Sequence, residues 1–406
     1  MMEMYDVIVI GGGPAGSTVA TLLARQNHKV LLLEKEKFPR YHIGESMVTG
    51  VIPILKELGI FEQIDSYGFQ KKYGTTFLWG DQKEAWSVKF GEVSKLAGEE
   101  VPEYAYQVQR AEFDEILLRH SEKNGAKVLE EHFVKEFIFE EERCVGIKYQ
   151  DPSGENFEAR ARYTVDASGQ STMLGRKMDV INYDDELKNI AVWSYFTKCD
   201  RYEGDLEGNI LVENTSDGWI WYIPFSNGMT SIGWVSPNET FKQESNISLE
   251  KRYAEVLENS KEIKNMMKDA KQVDKFYTAK DWSYINNSFY GPGCVMVGDA
   301  AGFVDPLFST GVFLAMNGAS SVAKCLHQAL VKPEQEEEFF SNYESEYKQV
   351  LKVITLFVHH FYDSNRQLNS YFTKAQTLVD PQEMLTIRQD FIYLITGLAG
   401  RRALTK

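Results

Sequence analysis

The chain has 406 residues, 43% of them hydrophobic and 25% charged, with a formal net charge of −15. It is long enough to bury one large core, or two that share a sheet edge, and its surplus of acid argues against a nucleic-acid partner or a polybasic membrane anchor, both of which need clustered Lys and Arg. Four dispersed cysteines with no CxxC pair argue against a zinc knuckle or redox dithiol and fit a reducing, cytoplasmic setting; no apolar run approaches the ~20 residues of a transmembrane segment, and Met1-Met2-Glu3-Met4 lacks the basic start of a signal peptide.

Tyr5 to Ile10 is continuous and β-branched, as a strand buried on both faces should be. Gly11-Gly12-Gly13-Pro14-Ala15-Gly16 follows, Ser17 to Arg25 reads as a helix, and Lys29 to Glu34 as a second buried strand, which together make a βαβ unit. In this Gly11-x-Gly13-x-x-Gly16 pattern, Gly11 permits the tight turn, Gly13 lets the main chain approach a pyrophosphate, and Gly16 allows close helix–strand packing. Pro14 and Ala15 lie at the positive end of the helix, where phosphate is stabilised. Glu34, closing the second strand, is placed to accept hydrogen bonds from an adenosine ribose. The motif specifies a dinucleotide but does not choose between NAD and FAD.

Further along, Arg110 to Asn124 has helical periodicity, and Lys127 to Tyr163 alternates as short strands with a turn at Pro152-Ser153-Gly154. Ile190 to Val235 is aromatic and β-rich. Glu250 to Asp269 is a charged helical stretch, Cys294 to Val297 a short buried strand, and Val312 to Leu330 an apolar helix; the residues after Lys332-Pro333 are mostly helical. His359 and His360 are adjacent, so on a helix they project about 100° apart. With no carboxylate–histidine pattern around them, no metal site is expected.

Gly298-Asp299-Ala300-Ala301-Gly302 follows the Cys294 strand. An Asp there needs a polar partner, which a ribityl polyol supplies; read alone, Asp299 is a cap or turn residue. Gly-Asp-Ala-Ala-Gly far from an N-terminal GxGxxG resembles the second FAD signature of the hydroxybenzoate-hydroxylase-like flavoproteins, a group of aromatic monooxygenases, geranylgeranyl reductases and flavin-dependent halogenases. Val165-Asp166-Ala167-Ser168-Gly169 resembles that group's internal Asp-Gly segment, with an inserted Ser. Tyr106 to Arg110 resembles its flavin-side arginine segment, which implies that Arg110 hydrogen-bonds the cofactor; without the resemblance Arg110 reads as a surface residue at a helix start.

Three stretches, and a fourth beside them, narrow the resemblance to the flavin-dependent halogenases. Trp219-Ile220-Trp221-Tyr222-Ile223-Pro224 fits their WxWxIP pattern. Gly68 to Gly80 resembles GFxxKxGAxFxxG, with Thr75 where Ala is usual. Phe303, Pro306, Ser309 and Gly311 fit FxxPxxSxG, and Pro39 to Ser46 resembles the loop after the second strand. The resemblance runs from residue 1 to about 330. It implies FAD as cofactor, with Lys35, Arg40 and Ser46 joining the contacts above. It implies a halide held by the backbone of Thr310 and Gly311, and Lys72 as the catalytic lysine that hydrogen-bonds the oxidant or carries it as a haloamine. Trp219 and Trp221, alternate residues on a strand and therefore on one face, would separate substrate from flavin, with Phe303, Pro306 and Ser309 along the tunnel. By composition alone Lys71-Lys72 is a solvated pair and the tryptophans are core.

The expected fold is α/β: a Rossmann-type FAD-binding domain (1–70, 100–185 and 275–330) interleaved with an antiparallel β-sheet substrate domain (71–99 and 186–274), then a C-terminal helical region (331–406). A second GxGxxG for NAD(P)H is absent, so the reading is a two-component halogenase that takes FADH2 from a separate NAD(P)H-flavin reductase and acts with O2 and chloride or bromide on an electron-rich small molecule. The alternatives are a one-component FAD monooxygenase or a geranylgeranyl-reductase-like flavin reductase, and behind them a flavin-binding protein without turnover.

Overall fold

The structure, a computed structural model, describes residues 4–82, 84–93, 103–243, 247–379 and 386–399. The expectation for Met1 to Glu3, and the parts of segments 71–99 and 331–406 at 83, 94–99, 380–385 and 400–406, lie outside the described residues.

The chain opens with β1 (Met4–Ile10), α1 (Pro14–Arg25) and β2 (Val30–Leu33), followed by α2 (Val51–Glu57) and α3 (Phe61–Tyr67). Next come β3 (Gln70–Lys72), β4 (Gly74–Leu78), β5 (Trp86–Lys89), β6 (Ala105–Gln107), α4 (Arg110–Lys123), β7 (Lys127–Leu129), β8 (Phe133–Glu140), β9 (Arg143–Gln150), β10 (Asn156–Asp166) and α5 (Met173–Met178). The middle holds β11 (Asn189–Thr197), β12 (Ile210–Thr215), β13 (Gly218–Pro224), β14 (Met229–Pro237), α6 (Asn238–Gln243), α7 (Leu249–Asn259), α8 (Ile263–Met266), β15 (Lys271–Gln272) and β16 (Tyr277–Lys280). The last part runs through β17 (Tyr284–Ile285), β18 (Tyr290–Gly291), β19 (Cys294–Met296), β20 (Gly302–Phe303), α9 (Gly311–Val331), α10 (Glu336–Tyr362), α11 (Leu368–Gln376) and α12 (Ile387–Ile395).

One sheet has the order β18-β19-β10-β1-β2-β7, with β9 and β8 added on β10. Its centre, β19-β10-β1-β2-β7, is parallel, which explains why β1 and β2 read as unbroken apolar runs: helices cover both faces. α1 packs on α9 and α4, and its small residues Ala15, Gly16, Ser17, Ala20 and Ala24 are buried there.

The second sheet has the order β15-β11-β14-β13-β12-β4-β5, with β16 also on β11. It is antiparallel except where β12 and β4 run parallel. Strand alternation sorts its residues. Val192, Leu211, Ile220, Tyr222, Ile232 and Trp234 form a small core with Tyr253, Leu257, Ile263 and Met266 of α7 and α8. Trp193, Tyr195, Val212, Trp219, Trp221 and Val235 face the opposite way, into the main core. The helical stretch predicted over 250–269 is in fact broken at Ser260, whose ψ is 156°. The Glu213 carboxylate accepts from the amides of Glu262 at 3.1 Å and Ile263 at 3.0 Å, so β12 caps the start of α8.

α10 ties the two sheets together. Its Phe361 ring lies 5.5 Å from Phe77 of β4 and 4.9 Å from Phe308, and Tyr347 donates a hydrogen bond to the Leu314 carbonyl of α9 at 3.0 Å.

Candidate active site

The glycine-rich turn between β1 and α1 is dictated by close backbone approach. Gly11 has φ +103°, and a Cβ there would sit 2.4 Å from the Ala167 carbonyl oxygen. A Cβ on Gly16 would come within 1.9 Å of the Gly11 carbonyl oxygen. Gly13 differs: φ is −70° and ψ −175°, and the nearest atom to a Cβ would be Arg40 Nη2 at 3.5 Å. Space is therefore left in front of Gly13, at the start of a helix with Pro14 in its first turn and no side-chain cap. Uncapped N–H groups beside an arginine suit a pyrophosphate. Glu34 is already engaged: its carboxylate accepts from Gly12 N at 2.7 Å and Glu36 N at 2.9 Å, so it also holds the glycine turn in shape. Lys35 is exposed.

Arg110 is 6% exposed, which corrects its reading as a surface residue. Its guanidinium makes a bidentate pair with Asp114 (Nε–Oδ1 2.7 Å, Nη2–Oδ2 2.9 Å), and Nη1 donates to the carbonyls of Ile43 at 2.8 Å and Gly44 at 3.2 Å. Four of its five N–H donors are thus spent, two on Asp114 of its own helix and two on the loop after β2, leaving one on Nη2. Asp114 also takes Arg40 Nη1 at 2.9 Å. Burial alone would raise the Asp114 carboxyl, but Arg110 and Arg40 hold it below the usual carboxylate range.

The second glycine segment lies against the first. A Cβ on Gly298 would meet Ala15 Cβ at 3.1 Å and Ala315 Cβ at 3.2 Å. Asp299 sits at this junction within electrostatic reach of Arg110; desolvation pushes its carboxyl up to about 6, against the pull of that guanidinium. Among the described residues no other residue donates a hydrogen bond to this carboxylate, so it has capacity for a polyol. Asp166, at the end of β10, is spent locally, accepting from Ser168 N at 3.0 Å and Leu174 N at 2.6 Å.

The two adjacent lysines part company because β3 pairs with β6, Lys71 opposite Tyr106 and Lys72 opposite Ala105, and neighbours on a strand face opposite ways. Lys71 turns outward to Asp65 at 2.9 Å. Lys72 turns inward and is 1% exposed, correcting the reading of a solvated pair. Its Nζ donates to Ser46 Oγ at 2.8 Å and the Met47 carbonyl at 3.0 Å, and lies 5.5 Å from the centre of the Phe90 ring. Desolvation pushes the amine down to about 7. Ser46, expected at the cofactor, spends its hydroxyl as an acceptor for Lys72.

On β13 the Trp219 and Trp221 rings lie on one face, centres 6.0 Å apart. Trp221 Nε1 donates to Ser231 Oγ at 3.1 Å and Trp219 Nε1 to the Tyr362 hydroxyl at 2.9 Å. Tyr362, the last residue of α10, donates to Asp305 Oδ2 at 3.0 Å, and Asp305 Oδ1 accepts from Leu307 N at 3.0 Å, shaping the turn opened by Pro306. Ser309 is left-handed, with φ +59°. Thr310 then caps α9 by backbone alone, and the Phe303 ring lies where a Cβ on Gly311 would be 2.9 Å from it. The α9 start thus offers uncapped N–H groups to an anion, as that of α1 does.

Tyr362 and Asp305 were invisible in the sequence, since no motif spacing links them to Trp219. Their bond carries a prediction. Burial pushes Asp305 up to about 6, against the hydrogen bonds from Leu307 and Tyr362. Because the folded value lies above the unfolded one, its drag on stability is absent at low pH and complete above about 6. Tyr362→Phe removes a donor and deepens that drag. Urea unfolding should show a loss of about 1–3 kcal/mol that is larger at pH 8 than at pH 5; an equal loss at both would mean Asp305 is not involved.

His359 corrects another expectation: its Nε2 lies 2.9 Å from Asp184 and its Nδ1 3.1 Å from Glu186, contacts made across the fold that local spacing does not show. Among the described residues no group of three or more His, Cys, Asp or Glu is arranged to hold a metal, and no helix is long and apolar enough to cross a membrane.

A parallel dinucleotide sheet, two glycine segments meeting at one helix start, an antiparallel sheet and a buried lysine on the separate β3-β6 pair together define an FAD-dependent oxidoreductase. Comparison with known proteins narrows this. The tryptophan halogenase family matches residues 6–102 and 95–393. The chain is 36% identical over 376 residues to a tryptophan 2-halogenase of Chondromyces crocatus, covering 92% of this chain and 70% of that protein. It is 32% identical over 405 residues to the 1H-pyrrole-2-carbonyl-[peptidyl-carrier protein] chlorinase of Pseudomonas fluorescens, covering 95% and 88%. The solved structure of the myxobacterial chondrochloren halogenase CndH superposes with a TM-score of 0.85 at 34% identity, covering 97% of each chain. Other curated relatives are longer, the chain spanning 62% and 64% of two of them. The chain belongs to the flavin-dependent halogenase family, and its cofactor is FAD.

Proposed function

We propose that this protein halogenates an electron-rich small molecule, with FADH2 supplied by a separate NAD(P)H-flavin reductase. One observation carries the reading: Lys72, on the separate β3-β6 pair, is buried against the loop after β2 and, among the described residues, no carboxylate is hydrogen-bonded to it. A site that desolvates an amine at a cost to stability is a site for chemistry. The relatives named above act on tryptophan and on a carrier-bound pyrrole, both electron-rich rings, which supports an aromatic substrate.

In this reading the α1 start at Gly13, Pro14 and Ala15, closed by Gly11 and Gly16 and flanked by Arg40, holds the FAD pyrophosphate. Glu34 and Lys35 border the adenosine, Asp299 takes the ribityl chain, and Arg110 and Ser46 shape the loop beneath. The backbone of Thr310 and Gly311 holds the halide. Trp219, Trp221, Phe303, Pro306 and Ser309 wall the substrate side. The parallel sheet is then the FAD-binding domain, over 1–70, 100–185 and 275–330, and the antiparallel sheet the substrate domain, in a protein that works in the cytoplasm.

Bound FADH2 with O2 supplies the oxidation of halide, FADH2 + O2 + X− + H+ → FAD + HOX + H2O. Lys72 then acts in one of its two protonation states. As an ammonium it donates a hydrogen bond to HOX. As a free amine it forms R–NHX with loss of water, and returns to R–NH2 when the ring takes the halogen and loses a proton. An amine pushed down to about 7 has both states at hand near neutral pH.

The test incubates the purified protein with phenols, pyrroles and indoles, bromide or chloride, and an added NADH-flavin reductase. Halogenated product is expected only when reductase and halide are both present. Direct NAD(P)H oxidation with hydroxylated or saturated product would overturn the reading in favour of a one-component enzyme.

A further inference from the structure

One residue before Ser46, the partner of Lys72, lies a second buried ionisable group that the reading above does not use. Glu45 is 3% exposed. One of its oxygens, Oε2, has no hydrogen-bond partner. The other, Oε1, accepts from the Tyr195 hydroxyl of β11 at 2.5 Å. The Tyr195 hydroxyl in turn lies 2.9 Å from that of Tyr41. Trp193 Nε1 donates to the Tyr41 oxygen at 2.7 Å; Tyr195 gives its one hydroxyl proton to Glu45, so Tyr41 is the donor to Tyr195. Tyr41 is 43% exposed, its ring stacked on Tyr277 with centres 4.4 Å apart. An unbroken row of hydrogen-bonded hydroxyls therefore runs from a residue at the surface, Tyr41, to a buried carboxyl.

The inner end points at the cofactor side. Ser231 of β14, which accepts from Trp221, lies close enough for its hydroxyl to favour the charged form of Glu45. Arg110 of α4 acts on Glu45 electrostatically and on Asp299 likewise. Glu45 thus sits between the tryptophan face and the junction of the two glycine segments.

We propose that Glu45, Tyr195 and Tyr41 form a proton relay between solvent and the flavin site. Halide oxidation as written above takes up one proton per turnover, and the relay supplies it. Glu45 gives its proton to the site through Oε2 and is reprotonated by Tyr195, which is refilled by Tyr41, which is refilled by water. Burial pushes Glu45 up to about 7, against the Tyr195 hydrogen bond, the nearby Ser231 hydroxyl and the charge of Arg110, so it exchanges protons near neutrality. Burial and the nearby Glu45 charge push both phenols up, so they pass protons without resting as phenolates.

The purpose assigned to the relay rests on the halogenase reading, but its test does not. Infrared difference spectra of the FAD-free protein, taken across neutral pH, should show the carbonyl stretch of a protonated carboxylic acid, and Glu45→Gln should remove it. Asp299 and Asp305, which burial also raises, are separated from it by that variant. On mixing into D2O, exchange of this proton should slow by about tenfold or more in Tyr41→Phe and in Tyr195→Phe, since each removes one hydrogen-bonded hydroxyl from the row. A band that persists in Glu45→Gln, or exchange as fast in both Phe variants as in the parent, overturns the relay. Halogenation by the parent protein is scored separately, so a failed relay and a failed halogenase reading give different results.

Discussion

Replacing Lys72 by Met is expected to lower halogen transfer by about 10²–10⁴-fold, while FAD stays bound and the fold becomes more stable. The three outcomes come from one geometry. Nζ is fully desolvated, held by one hydroxyl and one carbonyl, with no carboxylate hydrogen-bonded to it among the described residues. Its folded value of about 7 lies below the unfolded value of 10.5. Between those limits the unfolded chain holds the proton more tightly, so stability rises with pH across that window. The penalty is complete below about 7 and gone above 10.5, and a displacement of this size amounts to a few kcal/mol. Met fills the same space without the charge, so calorimetry should show a raised melting temperature, most clearly at pH 6 and least at alkaline pH. Product analysis by mass spectrometry reads the loss of halogenation, and flavin absorbance reads the retained cofactor. A Met variant that halogenates at the parent rate would remove Lys72 from the mechanism. One that is inactive but less stable at pH 6 would mean the amine was holding the fold rather than burdening it.

The parts of this site that the sequence discloses are those set by the local main chain. Gly11 and Gly16 are glycines because carbonyl oxygens stand within 2.4 Å and 1.9 Å of where a Cβ would be, and such demands leave a mark at fixed spacing. Trp219 and Trp221 share a face because strand alternation requires it. What stayed hidden was built between distant segments. Lys71 and Lys72 look alike until β6 pairs with β3 and sends one out and one in. Glu45 meets Tyr195 across 150 residues and Trp219 meets Tyr362 across 143; no periodicity joins such pairs. Glu34 shows the limit from the other side: its position at the strand end was legible, but its hold on the Gly12 amide was not. A carboxylate that organises the glycine turn can still accept from a ribose, because each oxygen carries two lone pairs.

Gly13→Val and Gly16→Val should fail in opposite ways, and the contrast locates the cofactor. At Gly13 the backbone is extended, with φ −70° and ψ −175°, a conformation any residue adopts. Among the described residues, chain neighbours aside, the one atom within 4 Å of a Cβ there is Nη2 of the Arg40 guanidinium at 3.5 Å, the movable end of a long side chain. The FAD-free fold should therefore accept valine with little loss of stability. The branched side chain, however, would occupy the space in front of the α1 start and cover the N–H groups that a pyrophosphate needs. Losing charge-assisted hydrogen bonds worth about 1.5–3 kcal/mol each weakens FAD by about tenfold for every 1.4 kcal/mol, so flavin titrations should register a loss of about 10²-fold or more. At Gly16 a side chain would strike the Gly11 carbonyl at 1.9 Å, with Val9 Cγ1 at 3.3 Å behind it. Backbone there cannot yield without parting α1 from β1, so the damage should fall on folding itself and appear in the melting curve before any flavin is added. A Gly13→Val protein that binds FAD as tightly as the parent would move the pyrophosphate off this helix start, and with it the placing of every residue assigned to the cofactor.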